Sequence, residues 1–132
     1  MDEIIFISDG HRSFYYEQLS KLSRADVYEQ ALFYCLGINE DTRRNIDCIF
    51  DFKNHCIKTE GLQEGWQTSG SLRVVRMAFN LFCNGAPSVD DYEEAEEQLE
   101  ECLHYTVEDL FCCSYATYFW QAIQLRYPEY AQ

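Results

Sequence analysis

The sequence has no lysine or arginine between Arg76 and Arg126, although residues 77–125 contain ten acidic side chains. Eight of these acids lie in residues 90–101, which read DDYEEAEEQLEE. The formal net charge is −13, and the rest of the chain carries 13 acids against 10 bases, so most of the imbalance arises here. These acids repel one another, and this repulsion does not help the chain to fold. Their concentration in one stretch without bases therefore indicates a surface that binds a partner. The plainer alternative is a solvated face that serves only solubility.

Flexible linkers and long apolar runs are also missing. Two prolines and six glycines leave no segment with the composition of a long linker. No apolar stretch approaches the roughly 18 residues of a membrane-spanning helix. The first residues, MDEIIFISDG, carry acids where a secretory signal needs positive charge. We therefore expect one soluble, cytoplasmic domain over residues 1–132, with no affinity for membranes.

Catalytic motifs are absent as well. The sequence contains no G-x-S-x-G, no glycine-rich phosphate loop and no H-E-x-x-H, and no spacing singles out a pair among its 23 carboxylates. We predict a non-enzymatic protein with no catalytic residue, no metal site and no cofactor. A cysteine- or metal-dependent enzyme is the third hypothesis, after the two interaction roles described below.

The seven cysteines raise the question of disulfides, metal and redox chemistry. An odd number without a signal sequence argues against a disulfide framework, so we expect reduced thiols, most of them buried. The segments His55-Cys56 and Cys102-Leu103-His104 place potential zinc ligands together, but no C-x-x-C pair accompanies them. Cys112-Cys113 is a candidate redox pair. A nucleophilic cysteine would need a histidine that only the fold could bring near it.

Hydrophobic periodicity predicts a mainly α fold, a compact single-domain bundle of five or six helices with a small β element as an option. The predicted helices cover residues 10–22, 23–36, 39–52 or 41–52, about 69–82 with Thr68 or Ser69 as its cap, 88–104 and 106–127. Asp9 is the expected cap of the first helix, and Gly37 is expected to end the second in a left-handed conformation. The last helix has apolar residues on more than one side, so it is the expected central element.

The acidic helix, about residues 88–104, has helical order of its own. A narrow apolar stripe of Tyr92, Ala95, Leu99, Cys102 and Leu103 is expected to dock it onto the domain. Its glutamates form like-charge pairs three and four residues apart, each costing about 0.2–0.5 kcal/mol. The predicted partner-binding residues are Asp90, Asp91, Tyr92, Glu93, Glu94, Glu96, Glu97, Glu100 and Glu101.

Several segments of the chain are distinctive when taken together: Trp66–Ser69 with Arg76–Leu81, Phe111–Ala116, Tyr118–Phe119 with Leu125–Tyr130, His11–Phe14 and Phe33–Gly37. With these segments the chain resembles a family of short uncharacterised proteins from Firmicutes, found on mobile elements and prophages. The resemblance implies no catalytic residue, because such a family has no established activity. It does imply a context in which small acidic proteins often inhibit host defence, including anti-CRISPR proteins.

These observations lead to an acidic inhibitor or adaptor that mimics nucleic acid and blocks a basic protein surface. A Cas-type nuclease or another nucleic-acid-binding protein is the expected partner, and direct binding of nucleic acid is not expected at this net charge. The alternative is a small scaffold or dimeric domain whose acidity serves solubility. A homodimer is compatible with either interpretation.

Overall fold

A computed structural model describes residues 3–87 and 95–130, which form seven α-helices and one two-stranded sheet. The helices are α1 (Asp9–Ser20), α2 (Val27–Leu36), α3 (Glu40–Arg44), α4 (Ser69–Cys83), α5 (Ala95–Leu103), α6 (Val107–Phe111) and α7 (Ala116–Arg126). Strands β1 (Phe50–Asp51) and β2 (Cys56–Ile57) pair antiparallel, with Phe50 opposite Ile57. Short 3₁₀ turns cover Ile46–Cys48, Thr59–Gln63 and Pro128–Tyr130. The predicted mainly α bundle with a small β element is confirmed.

Helix α2 is the centre of the domain. Its residues 31–36 are all buried with 0% exposure, and α1, α4 and α7 pack around it. Six consecutive apolar residues cover every side of a helix, so this part of α2 needs neighbours all round. The prediction that the last helix is central was wrong, because residues 112–115 leave the helix and divide it into α6 and α7. Helix α7 buries mainly Phe119, Ala122 and Arg126.

Side-chain caps determine where the helices begin. The Ser8 hydroxyl accepts from the His11 N–H at 3.1 Å, so α1 is capped one residue before the predicted Asp9. The Asp26 carboxylate accepts from the Glu29 N–H at 3.0 Å and opens α2. Each cap satisfies an amide that has no carbonyl partner in the first turn.

Helix α4 follows its prediction most closely. At its start, Thr68 and Ser71 form a capping box, each side chain accepting from the other residue's N–H at 3.1 and 2.7 Å. At its end, Asn84 adopts the left-handed conformation with φ 57°. Asparagine tolerates this conformation better than most residues, and Pro87 follows.

The predicted helix over residues 39–52 was wrong beyond Arg44. The Asn39 carboxamide caps α3 by accepting from the N–H groups of Asp41 and Thr42 at 2.8 and 3.1 Å. The chain then turns into the β1–β2 hairpin, where the Phe50 ring packs edge-on against Phe33 of α2, 5.3 Å away. Packing against α2 therefore overrides the helical spacing of these apolar residues.

Gly37 ends α2 for a different reason than predicted. Its φ is −79°, a right-handed conformation that any residue can adopt, so the predicted left-handed stop was wrong. A Cβ at this position would lie 2.7 Å from His11 Cδ2 and 3.0 Å from Phe14 Cδ1. Glycine is needed here because α1 packs directly against the α2 end.

The thiols are more exposed than the sequence predicted. All seven cysteines lie within the described residues and are unpaired; Cys56, Cys83, Cys102 and Cys112 are exposed, and only Cys35 is fully buried. Separately, none of the helices in the described part of the chain is long and apolar enough to span a bilayer.

Buried His11 makes the stability of the fold depend on pH. Its Nε2–H donates to the Tyr34 carbonyl at 2.7 Å, and its Nδ1 accepts from the Ile7 N–H at 3.2 Å. Burial, with a smaller contribution from Arg43, lowers the pKa of His11 to about 4 against the opposing effect of the Tyr34 bond. The unfolded chain therefore takes up a proton near pH 6.5 that the folded chain refuses until about pH 4.

We expect this histidine to remove about 2–3 kcal/mol of stability as the pH falls from 7 to 4. In urea unfolding at a series of pH values, the free energy of unfolding should fall more steeply with decreasing pH for wild type than for His11→Gln. His104→Gln, which alters a half-exposed histidine, is the matched control. Equal slopes for wild type and His11→Gln would contradict the prediction.

Candidate partner-binding surface

Helix α5 carries the described part of the predicted acidic surface. Five of the predicted partner-binding residues, Asp90, Asp91, Tyr92, Glu93 and Glu94, lie outside the described residues. On α5 itself, Glu96, Glu97 and Glu100 are exposed. At 100° per residue these three side chains project within an arc of about 100°, so they form one acidic side of the helix.

Glu101 has a different environment from the other three acids. Its Oε1 lies 3.6 Å from Nη2 of Arg76 on α4, and the two side chains are only 16% and 14% exposed. The Arg76 Nε is buried with no hydrogen-bond partner in the described part of the protein. Glu101 therefore balances a nearly buried cation, and the structure gives it an intramolecular contact where the sequence predicted a partner.

The two bases that bound the acidic stretch are both withdrawn from the surface. Arg76 faces Glu101, and Arg126 is 7% exposed, with its Nε donating to the Leu81 carbonyl at 2.9 Å. Neither guanidinium is free to form surface ion pairs with the exposed glutamates of α5. These two cations therefore offset the negative potential of the exposed side of α5 only weakly.

The apolar stripe of α5 faces solvent. Leu99 is 66% exposed and Leu103 is 63% exposed, Ala95 and Cys102 are exposed too, and no residue of α5 is buried. The prediction that this stripe docks the helix was wrong. Glu101 lies about 200° around the helix from Leu99, so the contact with Arg76 turns the apolar side outward. Helical spacing identifies the stripe but does not show which side of α5 packs against the domain.

The junction between α5 and α6 sets the direction of this surface. The Thr106 hydroxyl accepts from the Asp109 N–H at 3.2 Å and caps α6, while the Asp109 carbonyl accepts from Arg73 Nε at 2.9 Å. His104 Nδ1 lies 3.5 Å from an Asp109 carboxylate oxygen.

A cavity of about 370 Å³ opens beside this junction, with Leu103 and Arg73 among its walls. The buried Tyr105 adds an anchor by donating to the Pro87 carbonyl at 2.5 Å.

The candidate metal ligands are not brought together in the part of the chain that the structure describes. His55 lies on the hairpin with Nδ1 3.7 Å from Glu29, while His104 faces Asp109. Across the described ranges, no three His, Cys, Asp or Glu side chains converge to hold a metal ion. Of the candidate redox pair, Cys112 is exposed and Cys113 is half-buried, its thiol donating to the Leu110 carbonyl at 3.4 Å.

Comparison with known proteins gives a family and no further relative. A family model described as a family of unknown function, DUF6075, matches residues 1–132. No curated protein and no solved structure matches the chain. Since the family model covers the whole chain, the protein belongs to the DUF6075 family.

Proposed function

We propose that this protein is a non-enzymatic interaction protein that uses α5 to occupy a basic, nucleic-acid-binding surface on another protein. The observation that carries the proposal is the exposed acidic side of α5, Glu96, Glu97 and Glu100, with the bounding bases Arg76 and Arg126 engaged inside the domain. Like charges on one helix cost stability, so a compensating gain on binding explains their presence.

The mechanism is electrostatic competition. The carboxylates replace nucleic-acid phosphates, accelerate encounter with a basic groove and hold the lysines and arginines that would otherwise grip DNA or RNA. In its sharpest form, the protein is a cytoplasmic, mobile-element-encoded inhibitor of a Cas-type nuclease, whose guide and target channels are positively charged. This form is supported by the resemblance to short proteins of mobile elements and is an argument by analogy.

Neutralising the acidic side should weaken binding. The triple variant Glu96→Gln, Glu97→Gln, Glu100→Gln is expected to lose about tenfold in affinity and to reduce the salt dependence of binding, since exposed ion pairs each contribute about 0.2–1 kcal/mol. The matched control, Glu17→Gln, Glu60→Gln, Glu64→Gln, removes the same charge from exposed positions elsewhere.

The measurement begins with capture of partners from an extract of the producing cells, using wild type and both triple variants as bait. The captured protein is then purified, and its binding is measured from low to moderate salt together with displacement of its nucleic acid. Binding that is flat with salt, or equal for wild type and the α5 triple variant, would refute electrostatic mimicry. Retained activity with raised stability would favour the scaffold alternative.

A further inference from the structure

Electrostatic competition does not require an apolar helix face, yet α5 presents one to solvent. We propose that α5 lies in a groove of the partner protein that has an apolar floor and basic residues along one edge only. This inference rests on the proposed function, because both assign the contact to α5. The inference depends on different side chains, chiefly Leu99 and Leu103, so the inference and the proposed function can fail separately.

The order of residues around α5 defines the shape of this partner surface. Ala95, Leu99, Cys102 and Leu103 fall within an arc of about 100°. Glu96 and Glu100 border the Leu103 edge of that arc, whereas the uncharged Gln98 follows the Cys102 edge. Charge complementarity therefore requires cations along one edge of the groove and none along the other.

The exposure of the two leucines explains what the stripe adds. At 66% and 63% exposed, Leu99 and Leu103 can each transfer most of their side chain out of water on binding. Burial of apolar surface is insensitive to ionic strength, so it supplies affinity that remains when salt screens the glutamates. Leu103 also borders the cavity beside α6. A side chain of the partner protein, at the end of its groove, can project into this cavity.

A second copy of this chain is a poorer occupant of the same face. Pairing two α5 helices through their stripes brings together two acidic edges from molecules of net charge −13. Residues 77–125 contain no lysine or arginine to balance them, and Arg73, which lies beside Leu103, donates its Nε–H to the Asp109 carbonyl. A partner of opposite charge meets the same apolar surface without this repulsion.

Two synthetic peptides of equal length and charge separate the apolar from the electrostatic contribution. One is an amphipathic leucine–lysine helix, and the other replaces its leucines with serine. By fluorescence anisotropy at low and high salt, wild type is expected to bind the leucine–lysine peptide at least tenfold more tightly, with the difference persisting at high salt. The variant Leu99→Gln, Leu103→Gln is expected to abolish this difference, while glutamine preserves helix propensity.

The matched control is Ile5→Gln, Ile7→Gln, which alters exposed apolar residues outside α5 and should keep the preference. Equal binding of both peptides to wild type, or a preference that survives the leucine substitutions, would overturn the inference. The Glu96→Gln, Glu97→Gln, Glu100→Gln variant tests the proposed function separately. If it binds the lysine–serine peptide as tightly as wild type does, the proposed function fails and the inference about Leu99 and Leu103 stands. A wild-type dimer in light scattering that Leu99→Gln, Leu103→Gln converts to monomer would assign the face to a second copy.

Discussion

Replacing Arg126 with alanine is expected to lower the free energy of unfolding by about 3 kcal/mol, because this side chain joins three helices. Its Nε donates to the Leu81 carbonyl and its Nη2 to the Asn84 carboxamide, both at 2.9 Å. Its guanidinium also stacks on the rings of Tyr28 and Tyr127, 3.6 and 4.4 Å from their centres. Alanine would leave the buried Leu81 carbonyl unpaired and remove the cation between the two rings.

Urea unfolding followed by circular dichroism measures this effect. Arg126→Lys keeps a charge but cannot reproduce the planar fork between the two acceptors, so it should lose roughly half as much stability. Arg24→Ala, at an exposed position, should change stability by no more than about 0.5 kcal/mol. A loss below about 1 kcal/mol for Arg126→Ala would show that the contacts at the end of α7 contribute little.

Gly37→Ala is expected to destabilise the protein by about 2 kcal/mol, although alanine normally stabilises a right-handed backbone position relative to glycine. The added methyl would meet the His11 ring at 2.7 Å. That ring cannot move aside without loss of its bonds to the Tyr34 carbonyl and the Ile7 N–H. The cost therefore comes from overpacking, since φ at this position is −79° and suits any residue.

Two further variants separate overpacking from backbone conformation. At Gly65, a Cβ would meet nothing within 4 Å, so Gly65→Ala should be neutral or stabilise slightly by restricting the unfolded chain. Gly37→Asn should be worse than Gly37→Ala if packing decides, because the larger side chain meets His11 and Phe14. If Gly37→Asn were instead milder than Gly37→Ala, as at a left-handed stop, the packing explanation would be wrong. Thermal or urea unfolding of the three variants decides between them.

The course of residues 39–52 shows where sequence patterns stop being sufficient. Asn39 identifies the start of α3 because a capping interaction is local and involves residues two or three positions away. The end of α3 at Arg44 depends on Phe50 reaching Phe33, a contact between segments that are distant in the sequence. Periodicity cannot distinguish an apolar residue on a helix from one on a short strand that packs against the same neighbour.

The role of α5 divides in the same way. The sequence alone determined that the helix exists, that it carries a stripe of Leu99 and Leu103, and that residues 77–125 contain no lysine or arginine. Only the tertiary structure decided which side faces the domain, because one contact, Glu101 with the nearly buried Arg76, turns the stripe toward solvent. A pattern of spacing shows that a helix has two sides. The position of a charged partner on α4 decides which of them remains for another molecule.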